Sequence, residues 1–450
     1  MLRYFAKVFA CVIFCSLLSL AAWADGAVYA MTNALGNNQV LVFHRGADGN
    51  LTATPVQTIA TGGGGSGLQE AGVDSLGSAG SIQLDPGHHL LFVTNTESAA
   101  ENDGSGAYNT DCQLGTITSF QVASNGTLTY VDRVFSRGLF PNSLTVRTDS
   151  DGAGDLLYVL NAGGPEAPAI CRNQPDTSNT PNITGFKVDA AGRMKPILGS
   201  TQAIDPGPAT ASTPDSESCP PTGFPFETRC GLNPPSFVRS PAQVRFTPDG
   251  YQLVVTVKGT NTIYVFCVDD NGKAKDGVAT QALPPAFPTY FGFAFDKHQN
   301  LLVTETFGSG TTVPTGGAGA LSSFLVSQFG ALTPISSHVN DGGTAACCIA
   351  LEPITQRFAY VSNNLSASIS SYQVSNAGTV TLLNGTAASP AAPNDLAVTK
   401  ESGASFLYVV DAASGTVDAF HINLVDGSLT ALTGGMGLPA NRSAQGLAAY

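Results

Sequence analysis

Charge is scarce in this chain: 12% of its 450 residues are Asp, Glu, Lys or Arg, and the 33 acidic residues outnumber the 20 basic ones. A net charge of −13 leaves no basic surface for a phosphate backbone, which argues against nucleic acid as a partner. There is one Trp, Trp23, so the Trp-rich docking motifs of quinone-dependent dehydrogenase propellers are absent. No Gly-x-Ser-x-Gly elbow occurs, and "TGGGG" at Thr61 lacks the Lys and helix of a phosphate loop. The histidines form no triad pattern: His88 and His89 share a turn on the face opposite the long loops, and His338 stands alone after a hairpin. Beyond the N-terminus, no apolar run is long enough to span a membrane. What is abundant is Gly, 50 residues, with much Thr, Ser and Asn, a mixture that suits short strands and tight turns better than helices.

The first residues, "MLRYFAKVFACVIFCSLLSLAAWADG", set Arg3 and Lys7 before an apolar run ending in small residues. This predicts a secretory signal peptide over residues 1–24, cleaved after Ala24, and a secreted or periplasmic product of residues 25–450. Losing Arg3 and Lys7 takes two positive charges from −13, so the mature chain carries −15.

A repeat explains the length of the remainder. "VLVFHRGADGNLTATP" from Val40 recurs as "ITSFQVASNGTLTYVD", "ITGFKVDAAGRMKPIL", "IYVFCVDDNGKAKDGV", "LSSFLVSQFGALTPIS", "ISSYQVSNAGTVTLLN" and "VDAFHINLVDGSLTAL". Phe43, Phe120, Phe186, Phe266, Phe324, Tyr372 and Phe420 each precede a turn glycine at near-constant spacing, the pattern of a β-hairpin. A strand such as "AVYAMTN" or "FAYVSNN" precedes every hairpin, and before it stands another, as in "SIQLDP", "SLTVRT" or "DLAVTK". The latter has only six copies ahead of hairpins; "GLAAY" at Gly446 supplies the seventh, pairing with the first blade. The expected fold is all-β: a seven-bladed β-propeller of four-stranded blades, closed by its C-terminal strand so that no sheet edge is left open.

"YVTN"-like strands followed by a "VFxVdxdGtL" hairpin resemble the lactonase-type seven-bladed propellers, relatives of 6-phosphogluconolactonase and carboxymuconate cyclase, over residues 27–450. The resemblance implies lactone chemistry at the mouth of the central channel. Such lactonases show a Pro-Arg-His run entering an inner strand, with a Glu after the "YVxN" unit. Here the entries read "FPNS", "SPAQ" and "APND": the Pro is kept, the Arg and His are not. Glu305 stands where other repeats carry Asn, and Glu97 lies just beyond Asn95.

Alternation along the innermost strands assigns channel positions. The upper ring reads Ser81, Ser143, Gln243, Gly292, Cys348, Asp395 and Gly446; the ring below it reads Gln83, Thr145, Arg245, Ala294, Ala350, Ala397 and Ala448. Arg245 is the expected anion anchor, since its planar fork matches a carboxylate or phosphate, with Asp395 or Glu305 for acid–base work. An internal ion pair or hydrogen-bonded plug is the structural alternative. Asn142, Ser143, Gln243, Asn394, Gln445 and Glu97 are the expected ligand-binding residues around the mouth.

Repeat intervals of 77, 66, 80, 58, 48 and 48 residues place the extra length in segments 62–79, 97–114, 162–181 and 202–240, all on one face, as a lid. Cys112 with Cys171 and Cys219 with Cys230 are disulfide candidates there; Cys347 and Cys348 read as a vicinal disulfide or as two thiols, and Cys267 as a buried thiol. No cofactor is expected. Asp149, Asp151 and Asp155 are a weak Ca²⁺ pattern lacking the full loop spacing, and read as turn residues. Two functions follow: a monomeric hydrolase or isomerase of lactone-type, carboxylate-bearing small molecules, or a non-catalytic propeller binding an extracytoplasmic protein, polymer or surface component through its lid.

Overall fold

The computed structural model describes residues 26–67, 74, 76–98, 115–148, 155–163, 180–205, 240–275, 277–281, 289–306 and 316–450. The expected leader, most of the lid, and Cys112, Cys171, Cys219, Cys230, Asp149 and Asp151 lie outside the described residues. What is described is a seven-bladed β-propeller of antiparallel sheets.

Each blade runs from an inner strand at the axis to an outer one. In the fifth blade these are Tyr290–Phe295, Asn300–Glu305, Ala320–Val326 and Leu332–Asn340, hydrogen-bonded in that order. The third blade splits its outer edge into Met194–Pro196 and Gln202–Ala203, both paired with Asn182–Val188. The first blade borrows its inner strand: Leu447–Ala449 pairs antiparallel with Gly26–Met31 in the register Val28 to Ala449, Tyr29 to Ala448 and Ala30 to Leu447. A short extra ladder joins Gly63–Gly64 to Glu97–Ser98 on the face expected to carry the lid.

The apolar residues do not form one central core. Seven clusters each fill the space between two adjacent blades, as where Val254, Ile263 and Val265 of the fourth meet Phe293, Val303 and Phe324 of the fifth. The repeated Tyr of the "YV" strands explains part of the spacing. Tyr29, Tyr158, Tyr360 and Tyr408 are fully buried and donate their hydroxyls to Gly126, Gly272, Gly427 and Gly49 O at 2.7–2.9 Å. Each acceptor is the turn glycine of the next blade's hairpin, held at φ 74–82° where a side chain would be strained. Where the second blade carries Phe92 instead, Ser119 Oγ donates to Gly192 O at 2.7 Å.

Candidate functional site

The innermost strands place their polar side chains differently from a simple ring of lumen-facing groups. The sheets stand radially, so alternate residues face the preceding and the following blade. Ser143 Oγ accepts from Val244 N at 3.2 Å, Gln243 Oε1 from Phe293 N at 2.7 Å, and Asp395 Oδ2 from Gly446 N at 2.7 Å. One level down, Thr145 Oγ1 accepts from Phe246 N at 3.2 Å. These side chains bind the inner strands of the third and fourth, the fourth and fifth, and the seventh and first blades to one another around the axis.

Above them the axis is closed by the segment ending at residue 80. Ser78 Oγ donates to Asn142 O at 2.7 Å and Ala79 N to Ala242 O at 3.1 Å. Gln445 Oε1 accepts from Leu76 N at 3.0 Å, while its amide donates to Ser78 O. The Lys258 ammonium donates to Gly77 O and stands 4.8 Å above the Phe291 ring. Asn142 Nδ2 donates to Pro241 O at 3.0 Å and Asn394 Nδ2 to Ala444 O at 3.1 Å. Asn142, Ser143, Gln243, Asn394 and Gln445 are therefore buried and engaged with protein, and the first, third and fourth blades share in holding the segment in place. Ala79, Ala242, Phe291, Cys347 and Cys348 form an apolar cluster beneath it.

Burial has consequences for the ionisable groups here. It pushes the Asp74 carboxyl up and the Lys258 ammonium down, each partly countered by the other's charge. Burial also raises Asp395 to about 6, against the hydrogen bonds from Cys348 and Gly446. Cys348 donates its thiol to Asp395 Oδ1 at 3.2 Å, and Cys347 Sγ lies 3.3 Å from Ser362 Oγ. These two cysteines are free thiols rather than a vicinal disulfide, each with its own polar neighbour. Contact with Cys347, then burial, drives the Cys348 thiol upward, the opposite of an activated nucleophile. Cys267 is exposed, not buried: Phe266 faces the core, so the next residue in the strand faces out.

Arg245 lies one level below this sealed layer. It is exposed although protein surrounds it, and that desolvation lowers its pKa. No hydrogen bond or ion pair from its guanidinium is formed among the described residues. The expected partner, Asp395, has both carboxylate oxygens occupied elsewhere. Glu305 is not brought to either of them. Glu97 pairs with Gly64 through its backbone, and its side chain lies outside the described residues.

Glu305 closes the strand Asn300–Glu305 between the fourth and fifth blades, on the lid face. Its carboxylate is buried and accepts from Ser322 Oγ, while its other oxygen lies 2.5 Å from His338 Nδ1. A carboxylate only accepts, so Nδ1 carries the proton and Nε2 is left with its lone pair. His338 is 46% exposed, and its main chain is pinned by His338 N donating to Ser322 Oγ at 2.9 Å. The hydrogen bond to Glu305 raises the imidazole pKa above its ordinary value, partly offset by burial. His338, which stands alone in the sequence, is oriented by an acidic residue 33 positions away, a pairing no spacing in the sequence signals.

On the opposite face, His88 Nδ1 meets Asp85 Oδ2 at 3.1 Å and Asp155 Oδ2 at 2.8 Å. Both carboxylates are buried, and Thr148 Oγ1 donates to Asp85 at 2.6 Å. The hydrogen bond to Asp85 raises the His88 pKa, and the imidazole lies between carboxylates of adjacent blades. Asp155 thus belongs to an inter-blade tie, with one carboxylate oxygen directed at His88.

Comparison with known proteins agrees with this architecture. Residues 241–441 match the family model described as Lactonase, 7-bladed beta-propeller. Among solved structures, a periplasmic gluconolactonase from Pseudomonas aeruginosa is similar at 16% identity and TM-score 0.61, covering 94% of this chain and 98% of that one. A candidate 6-phosphogluconolactonase from Bacteroides fragilis is similar at 16% identity and TM-score 0.57, over 96% and 99%. A protein from Lactobacillus plantarum is similar at 16% identity and TM-score 0.57, over 94% and 98%. No curated protein matches the chain. The chain is a seven-bladed propeller, and its residues 241–441 are similar to the lactonase family of that fold.

Proposed function

We propose that this protein is a secreted or periplasmic hydrolase that opens a lactone-type, carboxylate-bearing small molecule, with His338 as general base and Glu305 as the group that orients it. One observation carries the reading: a buried carboxylate 2.5 Å from Nδ1 of a half-exposed histidine on the lid face. The names of two similar structures, a gluconolactonase and a candidate 6-phosphogluconolactonase, support the substrate class. In the step, His338 Nε2 takes a proton from water as the water oxygen bonds to the lactone carbonyl carbon. The tetrahedral intermediate then expels the ring oxygen, to which the imidazolium returns the proton, giving the hydroxy acid. The Glu305 carboxylate stabilises the imidazolium, as a carboxylate does for a catalytic histidine.

The test is acid release in a pH-stat from a panel of sugar and muconate-type lactones. The reading expects turnover that falls about 10²–10⁴-fold in His338→Ala, the usual worth of a general base. Glu305→Gln should lose less and shift the pH profile, since the amide no longer favours the imidazolium. Activity should rise with pH through the raised His338 pKa, because only the neutral imidazole is a base. The sealed axis favours a second reading, a binding propeller without catalysis. Silence across the panel, or turnover unaltered in His338→Ala, would overturn the hydrolase reading.

A further inference from the structure

The central channel holds one long cation whose function the hydrolase reading does not use. Arg245 stands on the strand Pro241–Phe246, at the level where the equivalent residues of four other blades are Ala294, Ala350, Ala397 and Ala448. Ala294, Ala350 and Ala448 are buried, whereas Arg245 at the same level is exposed. The layer above is buried from Ser81 round to Asp395 and capped by the segment ending at residue 80. At the level of Arg245, Gln83 and Ala397 are also partly exposed, while the capped layer above is closed to solvent.

The guanidinium makes no ion pair or hydrogen bond among the described residues. No acidic residue shares its level, and Asp395 one level up is committed to Cys348 and Gly446. A charge partly shielded from bulk water by surrounding protein gains from a counter-charge, and a planar fork of N–H donors fits an oxyanion with two acceptor oxygens. The chain as a whole carries −13 and repels anions, so such binding would be local to this position. We infer that the channel is a binding site for a small oxyanion, a phosphate or a carboxylate, held by Arg245 and entered from the face opposite the lid. The site is separate from the Glu305–His338 pair and stands whether or not that pair is catalytic.

Thermal unfolding and calorimetric titration of the purified protein with inorganic phosphate and with acetate, at low and constant ionic strength, test it. Expected are a saturable heat and a midpoint that rises with ligand concentration, because a ligand bound only by the folded state stabilises it. The response should vanish in Arg245→Gln, weaken at least tenfold in affinity in Arg245→Lys, and persist in the control Arg193→Gln, whose guanidinium is exposed and paired with Asp189. The stronger of the two anions identifies the source chemistry. No saturable heat in the wild type, or equal responses in the wild type and a folded Arg245→Gln, would overturn the assignment. Arg245→Gln removes no hydrogen bond or ion pair among the described residues, so its unfolding midpoint without ligand should lie close to the wild type, and a variant that fails to fold would itself contradict the unpartnered guanidinium.

Discussion

At the scale of single residues, Asp395 separates structural from chemical use of the axis. Its carboxyl is raised from 3.8 to about 6 by burial, so the folded state holds a proton that the unfolded chain releases between those values. Stability from this group is therefore full below about pH 4 and is lost as pH rises through about 6. At about 1.36 kcal/mol for each pH unit between the two values, the ionised carboxylate costs about 3 kcal/mol, an order-of-magnitude figure. Asp395→Asn keeps an acceptor for Gly446 N and carries no charge. The expectation is a variant about 1–3 kcal/mol more stable at pH 8 than the wild type and no different near pH 4, measured by urea unfolding at both values. Lactone turnover should survive the change; its loss would return the acid–base role to Asp395. His88 has the opposite charge logic. Its pKa is raised by Asp85 and then by Asp155, so its tie is complete below about pH 6.5 and is lost as pH rises through the folded value. His88→Ala should lower stability by about 1–2 kcal/mol at pH 6, since it leaves two buried carboxylates facing each other, with a smaller loss at pH 9.

Within the blade, the repeat that made the fold legible also encodes how blades join. The aromatic-to-glycine spacing and the "YV" strand were readable as hairpin and strand, because both depend on a local period. The inter-blade bond from Tyr hydroxyl to turn carbonyl was present in the same letters but joins one repeat to the next, which no single repeat shows. Removing that hydroxyl leaves a buried carbonyl unpaired, at about 1–2 kcal/mol. Tyr360→Phe loses one bond, to Gly427 O. Tyr158→Phe loses two, since Tyr158 Oη also accepts from Ala274 N at 2.7 Å, and should cost about twice as much. Urea midpoints of the two variants decide it; equal losses would mean that the Ala274 bond contributes nothing. The segment over the axis was not legible, for the converse reason. Gly77, Ser78 and Ala79 have no period and little side chain, and their position is set by Gln445, Asn142 and Lys258, residues distant in sequence. Asn142 and Gln445 surround the mouth, as ligand-binding residues would, but what they hold is the protein's own backbone.

For the whole molecule, closure of the ring concentrates many contacts in five residues. Met31 N donates to Gly446 O at 3.0 Å, Tyr450 N to Ala27 O at 3.1 Å, and Ala27 N to Tyr450 O at 3.2 Å. Arg45 reaches Tyr450 O at 3.1 Å through Nε and Glu401 of the seventh blade at 3.2 Å through its terminal nitrogen, joining three strands across the seam. The Tyr450 ring stacks on Tyr29 at 6.2 Å, and Leu447 fills the cluster between the seventh and first blades. Gly446 N also satisfies Asp395, so the seam and the sealed axis share a residue. Deleting residues 446–450 would leave Gly26–Met31 as an open inner edge and orphan several buried groups at once. At about 1 kcal/mol for each hydrogen bond and 1.5–3 kcal/mol for burying a leucine, the loss is on the order of 5 kcal/mol, comparable to the whole stability of many domains. An open edge is also a template for pairing between chains. The truncated protein should therefore unfold at lower urea and scatter light on warming, and a synthetic peptide of the deleted residues should restore part of the midpoint by refilling the edge. An unchanged midpoint without peptide would show that the blade interfaces alone hold the ring, and that the closing strand is dispensable.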